Sequence, residues 1–239
     1  MKISILTLFP QMFAGPFQHS IIKRAQEKGK VEIELVDIRE FGIGSHKMVD
    51  DTPYGGGVGM VLKIDVVHKA LEHVKKSDDA KVKQRTILTT ASGRTYNQST
   101  AQQYTKIDHL IIICGHYEGI DDRISNYIDE EISIGDFVLT GGEIPAMLIT
   151  DSVTRLIDGV ITDGATEDES FSETNHNMLE YPHYTKPRSY DGHDVPEVLL
   201  SGDHQKIADW RHKKSFEKTE LIRPDLIKTV ESQNLKQKR

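Results

Sequence analysis

The sequence predicts an α/β fold with a mainly parallel sheet, followed by a small helical C-terminal domain. Three observations carry that prediction. Short β-branched apolar runs end in glycine or polar turns, helix-period patterns lie between those runs, and a polar stretch without periodicity precedes a series of short helical segments.

The strands are expected at Ile3–Phe9, Val31–Ile38, Thr86–Thr90, His109–Cys114 and Ser133–Leu139. Each is short and rich in Ile, Val, Leu or Thr, as a buried strand is. Helical spacing of apolar residues runs over Ser20–Lys28, Ile64–Lys75, Thr100–Thr105 and Glu143–Leu156. These elements place an α/β domain over residues 1–160. Residues 161–176 then read as a mobile linker, since TDGATEDESFSETNH is acidic and lacks any period. Residues 177–239 read as a helical domain, with segments at Glu197–Leu200, His204–Phe216, Lys218–Ile222 and Pro224–Val230. The last of these starts with proline, which suits a first helical turn.

Composition narrows the function classes. The 239 residues are 37% hydrophobic and 28% charged, as in a globular protein, and no apolar stretch is long enough to span a bilayer. The opening MKISILTLFP reads as a first strand, because no small-residue cleavage site follows its apolar run. The single cysteine, Cys114, excludes an intrachain disulfide and fits a cytoplasmic protein. A net charge of −7 argues against a nucleic-acid partner, but the charge is uneven. From His176 onward 12 Lys and Arg face 10 Asp and Glu, whereas the preceding residues carry 18 against 27. Phosphate affinity follows local patches, so this balance permits an RNA partner without demanding one.

Four glycine-bearing segments are the strongest local signals. TPYGGGVGM (Thr52–Met60) fits neither a Rossmann fingerprint nor a Walker A loop, and by itself reads as a flexible surface loop. LIIICGHYEGIDDR (Leu110–Arg123) ends a buried strand at Gly115, where open α/β sheets bind ligands, although an ordinary strand-to-helix turn looks the same. ISIGDFVLTGGEIPAM (Ile132–Met147) has glycines at 135, 141 and 142 that bring backbone groups to a ligand or simply make a bulge and a tight turn. TTASG (Thr89–Gly93) is weaker. Three strand-end loops within a short span could converge on one pocket. The 11 histidines form no H-E-x-x-H pattern, no G-x-S-x-G elbow occurs, and no metal ligand set is assigned.

The ordered set LTLFP, YGGGVGM, ICGHYEGIDDR, ISIGDFVLTGGE, PHYTKP and LLSGDHQKIADWRHKKS resembles the bacterial tRNA (guanine-N1)-methyltransferases. These belong to the trefoil-knotted (SPOUT) superfamily of RNA methyltransferases, and the likeness runs over residues 1 to 228. The resemblance implies a deep trefoil knot that forms the cofactor pocket within the α/β domain. It implies S-adenosyl-L-methionine as methyl donor, held by Thr89, Thr90 and Ala91, by Gly115, Tyr117, Glu118 and Gly119, and by the run Ser133, Ile134, Gly135, Asp136, Phe137, Val138 and Leu139 with Gly141, Gly142 and Pro145. It further implies a homodimer with each active site between subunits, a tRNA substrate methylated at guanosine 37, a helical tRNA-binding domain, and a requirement for Mg²⁺ whose ligands the sequence does not name.

Guanine N1 is a poor nucleophile until its proton leaves, so a carboxylate is needed as general base. The charge that develops on O6 calls for a cation. In the family the base is an aspartate before Ser-Phe in the linker. Here that stretch reads ATEDESF (Ala165–Phe171), so Asp168 and Glu169 are both candidates, with Asp168 preferred. Arg155 matches the arginine on the O6 side, and Glu118 matches a glutamate near the methyl donor. Two other readings stand beside this one: a knotted methyltransferase acting on another RNA such as rRNA, and a non-catalytic RNA-binding protein on the same fold.

Overall fold

The computed structural model describes residues 1–75, 82–162 and 164–227. The chain divides into two compact units, Met1–Ile161 and a second that begins at Thr162. The first unit runs β1 (Lys2–Thr7), α1 (Ala14–Phe17), α2 (Ser20–Glu27), β2 (Glu32–Asp37), β3 (Asp50–Asp51), β4 (Val61–Leu62), α3 (Ile64–Val74), β5 (Gln84–Thr95), α4 (Gln98–Tyr104), β6 (His109–Cys114), β7 (Glu130–Ser133) and α5 (Glu143–Thr154). Five strands form one all-parallel sheet in the order β2-β1-β6-β5-β7. The α/β class and the parallel sheet expected from the sequence are therefore found.

Burial on both faces explains why the strands read as unbroken apolar runs. Along β6, Leu110, Ile112 and Cys114 enter the layer formed with α2, α4 and α5, while Ile111 and Ile113 enter the layer formed with α3. β1 divides in the same way, with Ile3 and Ile5 on one side and Leu6 on the other. This is the two-residue period of a pleated strand. Each fully buried Ile or Leu contributes about 1.5–3 kcal/mol, so the central strands anchor the sheet.

Two elements differ from the sequence reading. The expected strand Ser133–Leu139 is instead β7, which ends at Ser133. Beyond it Gly135 has φ +149°, and the Ser133 hydroxyl donates to the Gly135 carbonyl at 2.9 Å, which turns the chain off the sheet. β5 is longer than expected and irregular: Thr89 and Arg94 both pair with Ile132, so residues between them loop out.

In the second unit, β8 (Ser189–Tyr190) and β9 (His193–Asp194) form a small hairpin that the sequence did not signal. The two helices expected at His204–Phe216 and Lys218–Ile222 are one 19-residue helix, α6 (His204–Ile222). Glu217 between them is a good helix former and pairs with Lys213 and Lys214 one turn back. Residues 224–227 are helical, and the remainder of the expected Pro224–Val230 helix lies outside the described residues. The stretch 164–178 is a series of turns closed by bonds such as Phe171 N to Met178 O (2.9 Å) and Asn177 N to Ser172 O (2.8 Å). Among the described residues no helix is long and apolar enough to cross a membrane.

One polar cluster ties β5 to its edge neighbour β7. The Glu130 carboxylate accepts from Arg85 at 3.0 Å, Arg94 at 2.7 Å and Tyr104 at 2.9 Å. Burial alone raises the Glu130 carboxyl, but the hydrogen bonds from Arg94, Tyr104 and Arg85 outweigh it and hold the group below its ordinary value. A carboxyl lowered in the folded state contributes stability that is present above its unfolded pKa and fades as pH falls through the folded one. Glu130→Gln is therefore expected to lower stability by about 2 kcal/mol at neutral pH. The gap from the parent chain narrows steadily below the ordinary carboxylate range. Thermal melts across pH 3 to 7 check this; a gap that does not shrink with acid refutes it.

Candidate functional site

A cleft of about 320 Å³ opens beyond the carboxyl ends of β6, β5 and β7, three neighbours in the sheet. That size suits a small-molecule ligand. All the residues assigned above to the cofactor line this cleft except Gly135 and Asp136. Gly135 instead shapes the loop, since a Cβ there would stand 2.6 Å from the Phe137 ring. Thr89 to Ser92, Gly115 to Ile120 and Glu131 to Ile134 come from the three strand ends, and Phe137 to Gly142 closes the fourth side.

The closing segment passes between two of those strand ends with no space to spare. The Gly142 N–H donates to the Gly115 carbonyl at 2.7 Å, and the Thr89 hydroxyl faces both the Ile113 carbonyl (3.1 Å) and the Gly142 carbonyl (3.4 Å). A Cβ on Gly142 would meet Thr89 Oγ1, and would lie 2.7 Å from Gly115 N and 2.8 Å from Cys114 Cα. Gly142 also caps α5 at its N-terminus, so the first turn of that helix starts at the cleft wall.

Beneath this crossing lies a buried polar cluster that sequence reasoning missed. Glu143 is 2% exposed and accepts from the Thr7 hydroxyl at 2.8 Å. Its second oxygen lies 4.0 Å from Nδ1 of His116, a buried atom that has no hydrogen-bond partner among the described residues. Phe9 and Tyr117 flank the His116 ring at centroid distances of 5.0 and 4.7 Å. The same carboxylate helps push the Cys114 thiol well above its ordinary value, after burial, so Cys114 is no nucleophile. The only sequence signal for this cluster was the position of Glu143 directly after Gly141 and Gly142, at a helix start.

The charge of the lining is one-sided. Its ionisable residues are Glu118, Asp122 and Glu131 with His116 and Tyr117, and no Lys or Arg is among them. Apolar walls come from Leu88, Ile132, Ile134, Phe137, Val138 and Leu139. Backbone groups, apolar walls and carboxylates without cations fit an adenosyl group that carries a positive sulfonium; they do not fit a polyphosphate.

Glu118 sits at an exposed corner of the cleft, following Tyr117, whose φ of +58° is unusual for a residue with a side chain. Arg155 is not a lining residue. It caps the far end of α5, a helix of 12 residues that rises about 18 Å at 1.5 Å per residue. Asp168 and Glu169 belong to the second unit. Burial raises the Tyr181 phenol from its ordinary value against the nearby Arg211, and the negative charges of Asp168 and Glu180 add to the rise. The Arg211 guanidinium lies 4.7 Å from the centre of the Tyr181 ring. Among the described residues no group of three or more His, Cys, Asp or Glu could hold a metal ion, so no residue is assigned to Mg²⁺.

The model of the family described as tRNA (Guanine-1)-methyltransferase TrmD matches residues 1–229. A tRNA (guanine-N(1)-)-methyltransferase of Carboxydothermus hydrogenoformans is 53% identical over 230 residues, covering 95% of this chain and 88% of that protein. Proteins of the same name from Desulforudis audaxviator and Geobacillus kaustophilus are each 52% identical, over 228 and 229 residues. Each covers 95% of this chain, and the matches span 90% and 91% of those proteins. The chain belongs to this family.

The fit at residue 142 is testable. Gly142→Ala keeps an ordinary helical φ but forces backbone apart, and overpacking of this kind costs about 1–3 kcal/mol. The expected result is a lowered melting temperature together with loss of S-adenosyl-L-methionine binding by calorimetry. Parent-like binding in a stable variant would show that the crossing does not define the cleft.

Proposed function

We propose that this chain transfers a methyl group from S-adenosyl-L-methionine to N1 of guanosine 37 of tRNA, beside the anticodon. One observation carries the reading: the cleft-forming loops of a tRNA (guanine-N1)-methyltransferase family member close around a cation-free, carboxylate-bearing pocket. When bound there, the cofactor supplies an electrophilic methyl on a sulfonium and leaves as a neutral thioether.

The chain's own residues do the rest. A carboxylate of the second unit takes the N1 proton, which frees the lone pair that forms the new N–C bond as the S–C bond breaks. Asp168 is the favoured base over Glu169, because the preceding ATED aligns it with the family's aspartate. Arg155 donates to O6 as negative charge develops there. Glu118, at the edge of the cleft, orients the reacting groups. The passage of Gly142 between Thr89 and Gly115 supports the deep knot as the architecture of this pocket.

The position of Arg155 supports a homodimer. It stands a full helix length from the cleft of its own chain, so the cleft it serves belongs to the other subunit. For tRNA, the second unit offers an exposed helix with Lys206, Arg211, Lys213 and Lys214, and a Tyr184–Trp210 ring pair at 6.3 Å. Basic side chains interleaved with aromatic rings are the chemistry that binds phosphates and stacks bases. A tRNA-modifying activity fits a cytoplasmic location.

Arg155→Ala is expected to lower the single-turnover rate by about 10²–10³-fold, the usual loss for one donor to a developing oxyanion. Cofactor affinity stays within twofold. Mixed dimers of Arg155→Ala and Glu118→Ala chains should recover activity that neither homodimer has, since one cleft then has both residues. No recovery would place Arg155 in the cleft of its own chain. Separately, Asp168→Asn should abolish transfer while Glu169→Gln retains most of it, read by mass spectrometry of the tRNA; the reverse pattern moves the base to Glu169.

A further inference from the structure

The glycine-rich loop Thr52–Met60 lies outside the cleft lining, yet it touches one wall. At Gly59, φ is +92°, and a Cβ built there would stand 2.5 Å from Cγ, 2.6 Å from Oε1 and 2.9 Å from Cδ of Glu118. The Glu118 side chain therefore rests on bare backbone. The two segments are also stitched together. Glu118 N donates to Met60 O at 3.1 Å, Leu62 N to Gly119 O at 3.0 Å, and Asp121 N to Leu62 O at 3.0 Å. Elsewhere in the loop the situation is different: Gly55 has a similar φ of +87°, but a Cβ there would meet nothing within 4 Å.

We infer that Gly59 is a positioning residue for Glu118. The absence of a side chain at 59 lets the Glu118 carboxylate lie down against the loop, and the backbone bonds to Met60 and Leu62 hold the loop in place beneath it. The inference rests on the catalytic reading of Glu118 above. A methyl group at 59 pushes the carboxylate away by about an ångström, and such a displacement of a reacting group costs about 10²-fold in rate.

Four chains decide the matter: Glu118→Ala, Gly59→Ala, Gly55→Ala and the double variant Gly59→Ala/Glu118→Ala. For each, the single-turnover methylation rate, the Kd for S-adenosyl-L-methionine by calorimetry and the Tm are measured. The expected result is a rate loss of about 10–100-fold for Gly59→Ala with cofactor Kd within twofold. Gly55→Ala, at a similar positive φ and with no contact, stays within about threefold of the parent. Gly59→Ala causes no further loss in the Glu118→Ala chain, because the group it displaces is gone. Additive losses, equal damage from Gly55→Ala, a parent-like Gly59→Ala, or loss of cofactor binding in Gly59→Ala each overturn the inference while leaving the reading of Glu118 intact. A fully active Glu118→Ala overturns both.

Discussion

At Gly142 the chain passes between Thr89 and Gly115 through a space that admits no side chain. Much of the first unit depends on this contact. It brings the end of the exposed loop Asp136–Thr140 back to the sheet, starts α5 at the cleft wall, and seats Glu143 over Thr7 and His116. A buried carboxylate is costly unless it is hydrogen-bonded, and here the Thr7 hydroxyl supplies a bond while the positive end of the helix favours the charge. The crossing and the polar cluster beneath it therefore stabilise one another. Neither is placed correctly without the other.

The cleft inherits its chemistry from the sheet. Parallel strands end on one edge, and the three central and edge strands β6, β5 and β7 each release a loop there. β5 does so while still pairing with β7, by looping out the residues between Thr89 and Arg94 and returning to Ile132. Glu130, bound by Arg85, Arg94 and Tyr104, closes that irregularity from the far side. The sheet frame thus presents the glycine loops in one arrangement, which is the preorganisation a methyl transfer needs.

The sequence was most legible where a residue's environment follows from its neighbours. LIIIC reads as a strand because both of its faces are buried. The strand-end glycines were legible too, since 115, 141 and 142 mark turns that a side chain would obstruct. Legibility failed where distant partners decide. Ile134 to Leu139 carries a strand's apolar pattern, yet Gly135 and the Ser133 hydroxyl turn it out of the sheet, leaving Val138 86% exposed. Glu143 looks like any helix-start acid until Thr7, 136 positions away, is seen to bind it. The division of α6 into two helices failed for the opposite reason: Glu217 breaks the apolar pattern but not the helix, because its lysine pairs suit a solvent face.

Electrostatics then separates the two tasks the chain must perform. The cleft has carboxylates and no Lys or Arg, an arrangement that favours a cationic ligand and repels a polyanion. Among the described residues nothing in that lining offers an RNA phosphate a cation. A guanine base needs none until its proton is taken, and the charge it then develops requires a cation brought from outside the lining. In the proposed reaction Arg155, at the end of α5, meets that requirement, and the basic, aromatic-bearing residues of the second unit are the proposed phosphate contacts. The excess of acid before His176 and of base after it, which composition leaves open, agrees with the proposal that one unit binds a sulfonium and the other a nucleic acid.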